Sequence, residues 1–438
     1  MALGGVENLA KLPELKKRLL WTFFLLAVYR IGIHVPIPGV DTAALADFFE
    51  SVSNTLFGLF DMFSGGGLSR MSIFALGIMP YISASIIIQL LTVVSPELKR
   101  LSKEEGQAGR KKITQYTRYG TVLITVVQGF AIAVGLESMS SPTGAPVVAM
   151  SGWGFKLVTI LTLTAGTVFI MWLGEQITEK GIGNGISLII FAGIVAGFPG
   201  AVVNTFRLLS AGEMTLFILI LLSTMMIAVL AFIVFMERGQ RRIPIQYAKR
   251  MMGRRMYGGQ TTHLPLRVNT AGVIPPIFAS SILMFPATLA NLSGVDWLQE
   301  VSAYFAPASL LYNILFIAMI VFFCFFYTAI IFDPKDIAEN IRKQGGFIPG
   351  IRPGARTREY IDKVLSRITL WGALYISAIC VLPMMLISQA GVPFYFGGTS
   401  LLIVVGVAMD FMSQIESYLI SRQYEGLMSK GGRIKGRR

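Results

Sequence analysis

Charge is scarce in this chain. Only 14% of its 438 residues are Asp, Glu, Lys or Arg, against about 25% in an ordinary soluble domain, while 54% are hydrophobic. A water-soluble globule is excluded. Cysteine is nearly absent too: Cys324 and Cys380 each sit alone in an apolar run, so neither a disulfide framework nor a metal-ligand pair can be built from them. The two histidines, His34 and His263, lie far apart and outside any His-Glu-x-x-His arrangement, which removes a zinc protease. No Gly-rich loop ending in Gly-Lys-Ser/Thr occurs, so the chain has no phosphate cradle with which to hydrolyse ATP. Energy must come from outside. With no nucleophile, base or metal constellation either, the expectation is a protein that is not an enzyme and needs no cofactor.

What remains is a helical membrane protein. A hydrocarbon core of about 30 Å takes about 20 apolar helical residues. Ten such runs occur: 19–35, 72–94, 117–136, 154–173, 184–204, 214–235, 268–290, 309–332, 368–388 and 399–420. The fifth is the weakest, being rich in glycine. The first follows a basic leader but continues into His-Val-Pro-Ile-Pro-Gly-Val without a small-residue cleavage site, so it reads as a retained span and not a signal peptide. Net charge is +14, and 34 of the 38 Lys and Arg fall on one side of these ten spans. The positive-inside rule places that side, with both termini, in the cytoplasm. Topology thereby accounts for most of the basic excess, and a sequence-specific nucleic-acid partner is not required.

Two cytoplasmic loops exceed the roughly 2–8 residues that a bundle connection needs. Residues 237–267 alternate through Ile243, Ile245 and Tyr247 towards Gly253-Arg254-Arg255, which predicts a hairpin with a basic tip. Residues 333–367 read as a short amphipathic helix followed by a proline- and glycine-punctuated stretch presenting Arg352. Both read as docking surfaces. On the other side, Asn54–Phe63 is an apolar helix-like stretch of ten residues, which at 1.5 Å per residue reaches about half the hydrocarbon thickness. It cannot span. Gly65-Gly66-Gly67 ties it to the next span as a hinge, so it reads either as an interfacial helix or as a movable stopper. Arg30, near an outer span end, is placed to snorkel, and Asp410 of the last span to pair inside the bundle.

An internal repeat carries the most information. Gly-Ile-Met-Pro-Tyr-Ile-Ser-Ala-Ser-Ile-Ile from Gly77 matches Gly-Val-Ile-Pro-Pro-Ile-Phe-Ala-Ser-Ser-Ile from Gly272 at an offset of 195, pairing Gly77 with Gly272, Pro80 with Pro275, Ile82 with Ile277 and Ser85 with Ser280. Each copy lies in the second span of a five-span half. Five is odd, so the halves enter the membrane with opposite polarity, an arrangement that puts a functional path at their interface. The halves are 1–206 and 207–420, with a basic tail at 421–438. Ile82 and Ile277 then fall near the midplane, where isoleucines offer water and ions no hydrogen bond and an apolar neck closes by dewetting. Ser85, Gln89 and Thr92 make a polar stripe on span 2, and Asn269 opens span 7 from the same side. An inverted repeat would equally suit a small-solute transporter, which would place polar binding groups at the midplane.

These residues lie in stretches of distinctive sequence: FSGGGLSRMSIFALGIMPYISASIIIQLLTVV, GEQITEKGIGNGISLIIFAGIVAG, HLPLRVNTAGVIPPIFASSI, FIPGIRPG and VPFYFGGTSLLIVV. Over essentially its whole length the chain resembles the SecY family, the central subunits of bacterial protein-translocation channels. The resemblance implies an all-α polytopic fold of ten transmembrane helices in two inverted five-helix halves around a central pore. It implies a passive channel that exports unfolded polypeptides and releases apolar segments sideways into lipid. Ile78, Ile82, Ile186, Ile190, Ile277 and Ile403 would form its pore ring. Phe60, Asp61, Met62, Phe63, Gly65, Gly66 and Gly67 would be plug and hinge. Ser83, Ser85, Gln89, Thr92, Asn269, Ser281 and Phe285 would line a lateral gate between spans 2 and 7. Arg242, Arg254, Arg255 and Arg352 would be docking residues for motor or ribosome, with Arg254 and Arg255 meeting the ribosome and Arg352 the motor SecA. The further partners implied are the small membrane subunits SecE and SecG, signal sequences, unfolded preproteins and membrane lipid, in the cytoplasmic (inner) membrane of a bacterium.

Overall fold

The computed structural model of the chain describes residues 13–42, 44–45, 61, 64–103, 106–138, 147–148, 151–212, 215–247, 250–252, 255–257, 261–292, 309–390 and 398–431. Of these, residues 102–103, 138, 250–252, 255–257, 284–292, 383–390 and 421–431 are described by their backbone alone. Its elements in order are α1 (Pro13–Gly32), α2 (Met79–Val94), α3 (Pro96–Lys103), α4 (Gly106–Ser138), α5 (Trp153–Lys180), α6 (Gly185–Ser210), α7 (Leu216–Arg238), β1 (Gln240–Tyr247), β2 (Arg250–Met252), β3 (Arg255–Tyr257), β4 (Thr261–Arg267), α8 (Ile274–Leu292), α9 (Leu310–Ile331), α10 (Pro334–Lys343), β5 (Gly346–Phe347), α11 (Ala355–Ala390) and α12 (Gly398–Gly431). Among the described residues seven helices are long and apolar enough to cross a membrane, namely α4, α5, α6, α7, α9, α11 and α12, and α2 and α8 are shorter apolar helices. With α1 these are the ten expected spans. The chain is a polytopic, all-α membrane protein.

Two spans begin later than the hydropathy suggests. Apolar residues from 72 and from 268 predict helix, yet α2 starts at Met79 and α8 at Ile274. Gly77 and Gly272 cause both delays, holding φ +55 and +64 in the left-handed region that only glycine enters cheaply. Pro80 and Pro275 then occupy the first helical turn, where a missing N–H costs nothing. The repeat is thus a helix-start signal used twice.

The chain divides into two compact units. The first is Met1–Val203, Met284–Ala306 and Gly406–Arg438. In it α4 and α5 are joined by Arg118, whose guanidinium donates twice to Glu175 at 2.9 and 2.7 Å, and Glu137 pairs with Lys156 at 3.1 Å. Tyr29 of α1 stacks on Phe74, which stacks on Phe169 of α5, with centroids 6.0 Å apart in both cases. Leu15, Ile182 and Ile415 form a small core, and the Arg18 guanidinium donates to the Tyr418 hydroxyl at 3.0 Å.

The second unit is Asn204–Leu283 and Pro307–Val405. Within it Phe278 of α8 meets Phe323 and Tyr327 of α9 edge-on. The loop expected to be a hairpin is one: β1 pairs antiparallel with β4 from Gln240↔Arg267 to Gln246↔Thr261, and β2 with β3 beyond it. The second loop joins the same sheet, because β5 pairs with β1 through Gln246↔Phe347 and Tyr247↔Gly346. Ile243, Ile245, Leu266, Ile341, Ile348, Ile361, Val364, Leu365 and Ile368 bury one face of this assembly. The two loops share one small domain with its own core.

Candidate functional site

The described residues that lead into α2, 65–78, are irregular backbone set deep in the first unit. A Cβ on Gly166, near the middle of spanning α5, would run into the carbonyl oxygen of Ile73. Non-helical backbone at such depth survives only where its polar groups are satisfied inside the protein. Here they are. Met71 N–H donates to Leu68, Ser72 to Gly67, Ala75 to Ser72 and Gly77 to Phe74, all at 2.8–2.9 Å. Leu68, Met71, Phe74, Ala75 and Leu76 are buried.

The glycine hinge is a locked turn. Gly65 and Gly66 hold φ +72 and +85, and Asp61 organises the turn around them. One carboxylate oxygen of Asp61 accepts from the N–H groups of Leu68 and Ser69 at 2.9 and 2.8 Å, and its backbone carbonyl accepts from Gly66 at 2.9 Å. Two residues of α1 hold the turn from outside. The Tyr29 hydroxyl donates to the Ser64 carbonyl at 3.1 Å, and Arg30 donates to the Gly65 carbonyl at 2.6 Å. Arg30 is therefore a tether, correcting the expectation that it snorkels. Against the far side, a Cβ on Gly65 would sit 2.9 Å from Cα of Gly193 in α6, so two glycines permit a backbone approach that side chains would forbid. Phe60, Met62 and Phe63 lie outside the described residues.

Four of the six isoleucines expected in the pore ring belong to the first unit. Ile78 is the N-cap of α2, with near-helical φ −93 and ψ −2, and Ile82 follows four residues later on the same face. Ile186 and Ile190 are spaced the same way on α6, whose start is fixed by Asn184: its side-chain oxygen accepts from the N–H of Ile186 at 3.1 Å. A Cβ on Gly185 would strike the Gly174 carbonyl, so α6 leaves α5 at close quarters. Ile78, Ile82 and Ile190 are buried and Ile186 half-buried. In the second unit Ile277 stands in the first turn of α8, as Ile82 does in α2, and Ile403 is fully buried on α12. A Cβ on Gly398 would meet the Ile379 carbonyl, which sets the start of α12 against α11.

Of the residues expected at a lateral gate, Ser83, Ser85, Gln89 and Thr92 are half-buried along α2. Gln89 donates to the Ser85 hydroxyl at 3.2 Å and the Thr92 hydroxyl to the Gln89 carbonyl at 2.6 Å, a chain of contacts within one helix. Ser281 is buried, its hydroxyl donating to the Ile277 carbonyl at 2.7 Å. Asn269 is buried and gives its amide to Glu237 and to the carbonyl of Gly272. The side chain of Phe285 lies outside the described residues, although its backbone belongs to α8. Asp410 is exposed on α12.

Arg242 is exposed on β1, opposite Pro265 of β4. Arg254 lies outside the described residues, and Arg255 opens β3. Arg352 is exposed beside a groove of about 360 Å³ that it shares with Arg356, Glu359, Tyr360 and Lys363. Its carbonyl accepts from the Thr357 hydroxyl at 3.0 Å, closing the turn into α11. Sequence reasoning missed Tyr29, Asn184 and Glu237. Asn184 was legible, since Asn before a helix is a capping signal; the other two bond to residues whose proximity only folding creates.

A family model described as SecY matches residues 72–412. The protein translocase subunit SecY of Pseudomonas aeruginosa is 55% identical over 439 residues, covering 99% of this chain and 97% of the relative. That of Escherichia coli K12 is 54% identical over 429 residues, covering 97% and 96%. Among solved structures, one described as a protein-conducting channel is similar at a TM-score of 0.67 and 19% identity, over 95% of this chain and 97% of that one. Sec61 in a canine ribosome-channel complex is similar at 0.63 and 18%, again over 95% and 97%. At these identities the structures speak for the fold. The fold is that of a polytopic protein-conducting channel subunit. The chain belongs to the SecY family.

Proposed function

We propose that this chain is the pore-forming subunit of a protein translocase, a passive channel for unfolded polypeptides that also releases apolar segments into the bilayer. The carrying observation is the twin helix start: Gly77 and Gly272 share a left-handed backbone, and five residues on, α2 and α8 each present an isoleucine in the first turn. Two such helices of opposite polarity, one from each half, suit the walls of a single path. Ile78, Ile82, Ile186, Ile190, Ile277 and Ile403 form the apolar ring of that path, and the Asp61–Gly67 turn anchors a plug beneath it. Spans 2 and 7, carrying Ser83, Ser85, Gln89, Thr92, Asn269, Ser281 and Phe285, form the lateral exit. The transporter alternative is less well supported, because isoleucines stand where solute-binding polar groups would be needed.

The cytoplasmic domain is the docking face, with Arg242, Arg254 and Arg255 offered to the ribosome and the Arg352 groove to SecA. SecE and SecG complete the complex in the cytoplasmic membrane, both termini inside. The reading is tested by reconstituting the chain with its small subunits in vesicles with SecA and ATP. Entry of an unfolded precursor into the lumen is expected; uptake of small solutes by vesicles holding this chain alone, with no precursor entry, overturns it.

A further inference from the structure

Span 7 has an anchorage at its cytoplasmic end that the assigned functions leave unused. Four residues separate Gly272, which lets α8 begin, from Val268, which follows the last strand of the hairpin. Asn269 lies between them and is buried. Its amide nitrogen donates to a carboxylate oxygen of Glu237 at 2.5 Å and to the Gly272 carbonyl at 3.1 Å. Both partners only accept, so the orientation of the amide is fixed and both its N–H groups are used. Glu237 stands in the last turn of α7, three residues before β1.

The surroundings make this a clasp. The Val268 N–H donates to the Gly239 carbonyl at 2.9 Å, closing the hairpin at its base. A Cβ on Gly372 of α11 would lie 2.7 Å from the Val268 carbonyl, so α11 holds the strap from the other side. One turn further along α11, Tyr375 meets Phe232 of α7 edge-on at 5.8 Å. The hairpin base, the end of α7 and the left-handed start of α8 therefore converge on one hydrogen-bonded pair. A bond to a carboxylate is among the stronger ones and is directional, and a rigid chain of this kind transmits a displacement between two sites.

We propose that Glu237 is a positioning residue that couples the cytoplasmic hairpin to span 7 by holding Asn269 and, through it, the Gly272 hinge. The inference rests on the reading of spans 2 and 7 as a lateral exit and of the hairpin as a docking surface. A pull on β1 and β4 moves Glu237 and Asn269 together and turns α8 at Gly272, so a docked partner and the exit helix share one equilibrium.

The test uses the full complex in vesicles with cysteines at Ser83 and Phe285, comparing the rate of crosslinking between spans 2 and 7 with and without a docked ribosome. In the otherwise unaltered chain docking changes that rate. In Glu237→Ala the change shrinks by about threefold or more while ribosome affinity stays the same; Glu237→Gln, which still accepts from Asn269, keeps it. A Glu237→Ala channel that responds like the parent overturns the clasp, as does loss of affinity in parallel with response. Should Glu237→Ala fail to accumulate, Glu237→Met, close to glutamate in volume but unable to accept from Asn269, carries the same expectation. No crosslinking in any background overturns the reading of the exit itself, and this separates the two failures.

Discussion

Arg30 donates to the carbonyl of Gly65, 35 residues further along the chain, at 2.6 Å. Together with the bond from Tyr29 to Ser64, it fastens the glycine turn to the first span, so the turn is not a free swivel. A hydrogen bond from a charged donor contributes about 1.5–3 kcal/mol, and a half-buried one belongs at the lower end, or roughly tenfold in an equilibrium. Arg30→Ala is expected to raise the resting ion conductance of reconstituted channels by about that factor. Tyr29→Phe, which loses a neutral bond, is expected to raise it less. Parent-like conductance in both would show that the turn holds itself.

Close backbone contact at Gly166 gives a stability prediction. Alanine there forces a methyl group against the Ile73 carbonyl, a buried overpacking that costs about 1–3 kcal/mol. Gly166→Ala should lower the midpoint of heat-induced unfolding in detergent. Gly200, with nothing near its missing Cβ, is the control position and should tolerate alanine.

Ile361 is fully buried in the core shared by β1, β4, α10 and α11. Truncation to alanine there costs about 2–5 kcal/mol, more than a two-loop domain of this size readily absorbs. Ile361→Ala is expected to expose 237–267 and 333–367 to limited proteolysis together, because β5 pairs with β1. Cleavage of one loop without the other would contradict the shared core.

Much of this architecture was legible. Ten spans followed from apolar run length, the hairpin from alternation through Ile243 and Ile245, and the repeat at Gly77 and Gly272 from matched Gly, Pro and Ser. The starts of α2 and α8 were not, because hydropathy reports what tolerates the bilayer and not whether the backbone is helical. At Gly77 and Gly272 those two properties part. The β1–β5 pairing also escaped notice, since it joins Tyr247 to Gly346 and nothing local in either segment signals the other. Arg30 was visible as a cation in a span, but its partner was not, being a backbone carbonyl without a sequence signature.

Arg352 separates docking from folding. It is exposed at the mouth of its groove with Arg356 and Lys363, so charge reversal should leave the buried core intact. Arg352→Glu is expected to impair SecA-driven secretion severalfold more than ribosome-driven membrane insertion, measured side by side in the same vesicles. Equal loss of both would point to a folding defect.

The central claim is an apolar neck that is closed to ions at rest. Single-channel recording of the complex with Ile82→Ser and Ile277→Ser together tests it most directly. Serine hydroxyls hydrate the constriction, and the resting conductance is expected to rise by about tenfold or more, with precursor translocation retained. A doubly substituted channel as tight as the parent would contradict the account.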